Sequence, residues 1–453
     1  MKKKIDFVND DTGSALLKMV MPLLMATILM LAYNLVDSIW VGNLLGESGY
    51  AALTTAGSIS MLLYALTTGI GNGTAVVVSQ LVGAGDKKKT DEVIGTSIVM
   101  SVAFAVSVII VLECLLNQLL MVFQTPDDIY KDARSYLAIF LIGYVAIFLY
   151  MQLTSIYRSF GDSIFQMKGM LMGTVINLVV DPLFIKVFGI SGAAIATVLS
   201  QVLCLLFAVI YGKKKAYFRP RLNGFCLESV SRILKTVIPT STQSCIPAIS
   251  SMVMVILVNQ FDVTTIAAYG VVKNIENILF YPAMAMNMAL ITIVGQLYGA
   301  KRNDRIKDYM RTALIYGAVI EAALTVLVLI FGAQISMAFV KESAVAAIVS
   351  HGLKIIGIGY LCYMVTNIFT AKMAGMGKVN LSMALMFIYY IVIRVPLATV
   401  FIRGSLGLDG MWIAILISHL IAALLALIVD RKGKWKSENM LSVIEIKKGV
   451  KIK

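Results

Sequence analysis

Four oxygen-bearing side chains set in apolar surroundings are the residues best suited to chemistry in this chain: Asp37, Asn177, Asp181 and Thr197. Asn177 and Asp181 are four apart, so a helix places them on one face. Two carboxylates, an amide and a hydroxyl are hard oxygen ligands, which suit a monovalent cation, or a proton shared between the acids. The alternative for both acids is a place near a membrane surface, hydrated or capping a helix end. Lys273 and Glu276 are spaced i,i+3 and are expected to neutralise each other, whereas Glu113, Glu321 and Arg394 have no obvious local partner. The five cysteines lie far apart without a CxxC, and the two histidines, His351 and His419, are isolated. Disulfide frameworks, zinc sites and His-centred catalysis are therefore not indicated, and a membrane-embedded enzyme would need a nucleophile or metal cluster that is not evident.

The elements that must position these groups are membrane spans. The chain is 59% hydrophobic and 14% charged, with a mean hydropathy of +0.86. Typical soluble domains are only about 45–50% apolar. Apolar runs recur near 15–40, 52–80, 93–118, 132–156, 165–186, 191–211, 235–259, 266–297, 309–334, 348–372, 380–402 and 408–429. Each is long enough to cross a hydrocarbon core of about 30 Å. The first run is too long for a signal-peptide core and has no cleavage site after it.

The net charge of +14 does not point to nucleic acid, because Lys and Arg fall in alternate loops. About 30 lie on the face of the termini and about six on the other: Lys131, Arg134, Lys186, Lys341, Lys354 and Arg403. The positive-inside rule then places both ends in the cytoplasm. With that orientation, Asp37 and Asp181 lie near the outer ends of the first and fifth spans, and Thr197 about two turns into the sixth, all at similar depth. An ionisable side chain inside a span costs a few kcal/mol or more and is a functional candidate by default.

The chain also repeats itself. Val78-Ser79-Gln80-Leu81-Val82-Gly83-Ala84 recurs as Val294-Gly295-Gln296-Leu297-Tyr298-Gly299-Ala300, about 216 residues on. Arg158-Ser159-Phe160-Gly161-Asp162 maps onto Ala374-Gly375-Met376-Gly377-Lys378, and Gly192, Ile195, Ala196 and Ser200 map onto Gly410, Ile413, Ala414 and Ser418 with slight slippage. The expected organisation is an amino-terminal six-helix lobe over 1–211, a linker over 212–234, a carboxy-terminal lobe over 235–430 and a basic tail over 431–453. The linker contains Lys213-Lys214-Lys215 and Arg219-Pro220-Arg221. Duplicated membrane chains of this kind are most often transporters, with the site between the halves. Arg394 falls near the repeat position of Asp181, so one half carries acids where the other carries a base, and a single cation site is expected. Met30, Tyr33, Asn34, Met61, Tyr64, Tyr150, Met151, Met284 and Met286 suit a lumen for varied apolar or cationic solutes, although core or lipid-facing packing explains such residues too.

These residues resemble those of the multidrug and toxic compound extrusion (MATE) transporters over essentially the whole chain. The resemblance rests on Pro22, on Tyr33-Asn34-Leu35-Val36-Asp37-Ser38-Ile39-Trp40-Val41-Gly42, on the two Gln-Leu-x-Gly-Ala loop entries, on Arg158 to Asp162 and on Asn177 to Pro182. It implies an all-α polytopic protein of twelve transmembrane helices, in two pseudo-symmetric six-helix bundles around a V-shaped cavity. It also implies a monomer of a bacterial plasma membrane that exports organic compounds in exchange for Na+ or H+, with no other cofactor and no nucleic-acid partner. In the DinF-like branch the cation site corresponds to Asp37, Asn177, Asp181 and Thr197, and Pro22 to the proline where the first helix bends. The NorM-like branch uses a Glu in the seventh helix and an Asp in the tenth; here Gln243 stands at the former place and the tenth span has no acid. A lipid-linked oligosaccharide flippase shares the architecture, but it would favour a strongly charged central cavity.

Overall fold

The structure, a computed structural model, describes residues 5–219, 226–340, 342–404 and 406–433. The basic tail past Gly433, Pro220 and Arg221 of the linker, and Lys341 lie outside the described residues. The helices are α1 (Thr12–Gly83), α2 (Lys87–Val122), α3 (Asp127–Ser159), α4 (Ser163–Phe188), α5 (Ile190–Lys215) and α6 (Leu227–Val258). They continue with α7 (Val263–Gly299), α8 (Asn303–Phe339), α9 (Ser343–Gly375), α10 (Val379–Phe387), a π segment (Ile388–Arg394), α11 (Val395–Arg403) and α12 (Gly407–Lys432). The connector between α5 and α6 is shorter than its composition suggested, because its lysine run completes the last turn of α5.

Among the described residues, eleven helical stretches are long and apolar enough to cross a membrane, with α10, the π segment and α11 forming one of them. The 72 residues of α1 extend about 108 Å at about 1.5 Å per residue, far more than one crossing needs. This helix breaks at Gly46, whose φ of 70° and ψ of −160° suit only glycine. Its two arms are the first two spans, and the crossings number twelve.

Loop chemistry fixes the helix starts. Asp11, Asp86, Asp162 and Asp262 each accept a backbone N–H three residues on, satisfying one of the orphan donors of a helix N-terminus. Gly161 and Gly377, equivalent in the repeat, both take positive φ in the turns after α3 and α9.

Packing joins the halves as well as filling them. One core cluster holds the second arm of α1 with α2, α3, α4 and α5. A second unites α7, α8, α9, α10 and α12, but it also takes in Leu16, Met19, Val20 and Leu23 from the first arm of α1. A third fills the remaining part of the second half around Trp412. Thr240 Oγ1 on α6 donates to the Gly69 carbonyl across the seam at 2.8 Å, where a Cβ on Gly69 would strike the Ser241 backbone. Exposed Ile142, Val187 and Ile210 belong to the bilayer-facing surface of a multi-pass membrane protein.

Candidate functional site

The first arm of α1 brings Asp37 to the face of α4 that carries Asn177 and Asp181. All three are buried, and Thr197 on α5 is buried with them. Asn177 Nδ2 donates to Asp181 Oδ1 at 2.9 Å, the bond expected of an i,i+4 pair. The carboxyl of Asp37 meets that of Asp181 side chain to side chain. Tyr33 reaches the fourth member: its hydroxyl lies 3.2 Å from Ser200 Oγ and beside Thr197, one turn before Asp37.

Among the described residues, each of the four keeps one buried oxygen with no hydrogen bond: Asp37 Oδ1, Asn177 Oδ1, Asp181 Oδ2 and Thr197 Oγ1. Buried polar atoms are nearly always paired, so four orphan acceptors in one cluster require a reason. They are all hard oxygens, and the two carboxylates repel each other out of water. A proton or a Na+ ion answers both needs.

The helix that carries Asp37 is adapted around Pro22. Pro22 lacks the N–H that would bond the Lys18 carbonyl, and Ser163 Oγ at the start of α4 donates to that carbonyl at 3.3 Å. The backbone stays helical through Pro22, and the break in α1 is at Gly46. The proline is thus a weak point in the helical ladder, held by a neighbouring helix.

Of the expected cavity residues, Tyr33 and Tyr64 lie within electrostatic reach of Asp37, as does Tyr136. Tyr150 is a buried core side chain whose ring abuts Gly169. Met30, Asn34, Met61 and Met284 are exposed, and Met151 is half-buried. A cavity of about 650 Å³ lies between α1, α2, α3, α6 and α10, lined by Ile70, Phe104, Phe148, Ser241, Cys245 and Phe387. That space opens where the two halves meet, away from the expected cavity residues.

The second half is built differently. Lys273 and Glu276 are not a direct ion pair among the described residues: the Lys273 ammonium donates to Ser251 on α6, and buried Glu276 feels the charges of both Arg394 and Lys273. Arg394 has partners that sequence spacing did not reveal. Its Nε donates to Ser418 at 3.0 Å and one Nη to Tyr389 at 2.8 Å, its guanidinium lies over the Tyr389 and Tyr390 rings, and His419 completes the cluster. The π segment just before Pro396 puts the tyrosines there, since that proline cannot continue the ordinary helical ladder. Ser418 on Arg394 occupies the repeat position of Ser200 on Tyr33.

Twelve crossings in two repeated halves, with a buried polar cluster in the first, define a polytopic membrane transporter. The MatE family profile matches twice, over residues 22–183 and 239–400, and the chain belongs to that family. It is 28% identical to the probable multidrug resistance protein YpnP of Bacillus subtilis, over 97% of this chain and 99% of that one. It is 24% identical to the multidrug export protein MepA of Staphylococcus saprophyticus, over 93% and 94%. Its fold is similar to that of a MOP superfamily transporter from Pyrococcus furiosus Vc1, with a TM-score of 0.90 and 25% identity over 95% of this chain and 98% of that chain.

Proposed function

We propose that this protein is a secondary active exporter of small organic solutes, many of them cationic, driven by Na+ or H+ entering through Asp37, Asn177, Asp181 and Thr197. The reading places it in the DinF-like branch, with lobes over 1–211 and 235–430, both termini in the cytoplasm and a monomer as the working unit. The observation that carries it is the set of four orphan oxygens around two facing carboxyls. Relatives named for multidrug resistance and export support the solute class.

The coupling follows from α1. One arm carries Asp37 at the cation site, Pro22 about 22 Å away along the helix, and Leu16 to Leu23 packed on the second half. A cation between Asp37 and Asp181 removes their repulsion and favours the arrangement that draws α1 and α4 together. Any resulting change in the arm is transmitted to the seam between the halves. Solute and cation then favour different conformers, and each promotes release of the other.

The test is uptake of a fluorescent organic cation into proteoliposomes, with a pH gradient and a Na+ gradient imposed separately. Concentration of the solute under at least one gradient, lost in Asp37→Asn, supports the reading. Equal uptake with and without any gradient overturns it.

A further inference from the structure

On the face bearing the termini, the repeated Gln-Leu-x-Gly-Ala segments make a reciprocal contact between the halves. Gln80 Nε2 on α1 donates to the Gly375 carbonyl on α9 at 2.9 Å, and Gln296 Nε2 on α7 donates to the Ser159 carbonyl on α3 at 2.7 Å. The step of about 216 residues that relates the two glutamines also relates Ser159 to Gly375, so the two bonds are one contact drawn twice about the pseudo-two-fold axis. The acceptors are the last carbonyls of α3 and α9. Helix-end carbonyls have no partner within their own helix, and here the side chain from the opposite half supplies one.

The glycines of the same motif set how closely the halves approach. A Cβ on Gly83 would lie 2.6 Å from the Gln296 carbonyl carbon, and one on Gly299 would lie 2.8 Å from that of Gln80. Each glycine therefore lets its helix rest on the backbone that carries the opposing glutamine.

We propose that Gln80 and Gln296 are positioning residues of the transport cycle: a two-fold clasp that closes the terminus-bearing face and must release for solute to load from that side. The proposal rests on the transport reading above. Its chemistry fits a gate that opens repeatedly, because water can replace a neutral amide at each carbonyl once the halves part. Parting of the halves about that axis breaks both bonds together.

The experiment uses the full chain with its five cysteines replaced by alanine and spin labels at Lys88→Cys and Lys307→Cys, both exposed near that face. Distances are measured in lipid for the parent, for Gln80→Met and Gln296→Met singly and together, and for Gly83→Ala. The parent should show mainly the short distance. Each glutamine variant should raise the long-distance fraction roughly two- to tenfold, and the double variant by about the product. Gly83→Ala should open the face with both glutamine side chains kept, because its methyl group strikes the Gln296 backbone. In transport, the double variant should lower the KM for solute loaded from that face and weaken the apparent affinity for the cation offered from the other. A general loss of structure would not produce those opposite changes. An unchanged distance distribution in the double variant and in Gly83→Ala, with the parent still transporting, overturns the clasp. An opened distribution upholds it, and failure of the parent to move solute then counts against the transport reading alone.

Discussion

Replacing Asp37 by Asn should leave a protein that is more stable and does not couple. Asp37 Oδ1 and Asp181 Oδ2 are both buried without partners, and the two carboxyls face each other. Two unit charges about 4 Å apart at an effective dielectric near 20 repel by about 4 kcal/mol, and the substitution removes that repulsion whenever no cation is bound. The new amide can also donate to Asp181 Oδ2, a bond to a charged acceptor worth about 1.5–3 kcal/mol. In buffer lacking the coupling cation, Asp37→Asn should therefore exceed the wild type by about 2 kcal/mol or more. Cation linkage should change in the opposite sense. At a hundredfold excess over its Kd, a ligand that binds only the folded form stabilises it by about 2.7 kcal/mol. The wild type should gain that increment from whichever of Na+ or H+ drives it, and the variant should gain none. Thermal unfolding in detergent, titrated with NaCl against KCl at constant ionic strength and then with pH, reads both effects, and proteoliposome uptake reads coupling. A variant that unfolds more easily than the cation-free wild type, or that still concentrates solute against a gradient, would refute the reasoning.

Asn177→Ala and Thr197→Ala remove neutral oxygens that Na+ can use and a proton does not need, so they should weaken Na+-driven uptake more than H+-driven uptake; equal losses under both gradients would argue against a Na+ shell. Ser163→Ala should cost about 1–3 kcal/mol by leaving the Lys18 carbonyl unsatisfied. Pro22→Ala restores the helical donor, so the double variant should recover most of that loss in thermal unfolding. Cysteines at Ser48 and Asp262 should react with an impermeant reagent added to intact cells and one at Lys214 should not; the reverse pattern would invert the topology.

Hydropathy, repeat spacing and loop charge in the sequence alone determined the spans, the duplication and the residues of the candidate site. These are properties of short segments: an apolar run must be long enough for the bilayer, and Asn177 and Asp181 share a face on any helix. Asp11, Asp86, Asp162 and Asp262 cap helices from adjacent positions, so these four helix starts are also set by local chemistry. Tertiary structure alone decided the partners. Lys273 and Glu276 have the spacing of an ion pair, yet the Lys273 ammonium donates to Ser251 on a neighbouring helix. Arg394 seemed to lack a partner because the tyrosines, Ser418 and His419 that hold it meet it only through a π segment and α12. Tyr150 has the chemistry of a cavity residue and sits in the core, since burial depends on which helix packs against it. The clasp of Gln80 and Gln296 joins residues 295 and 137 positions apart. The repeat marked both motifs, but only the docking of one half on the other shows that each glutamine satisfies a helix end its own half leaves open.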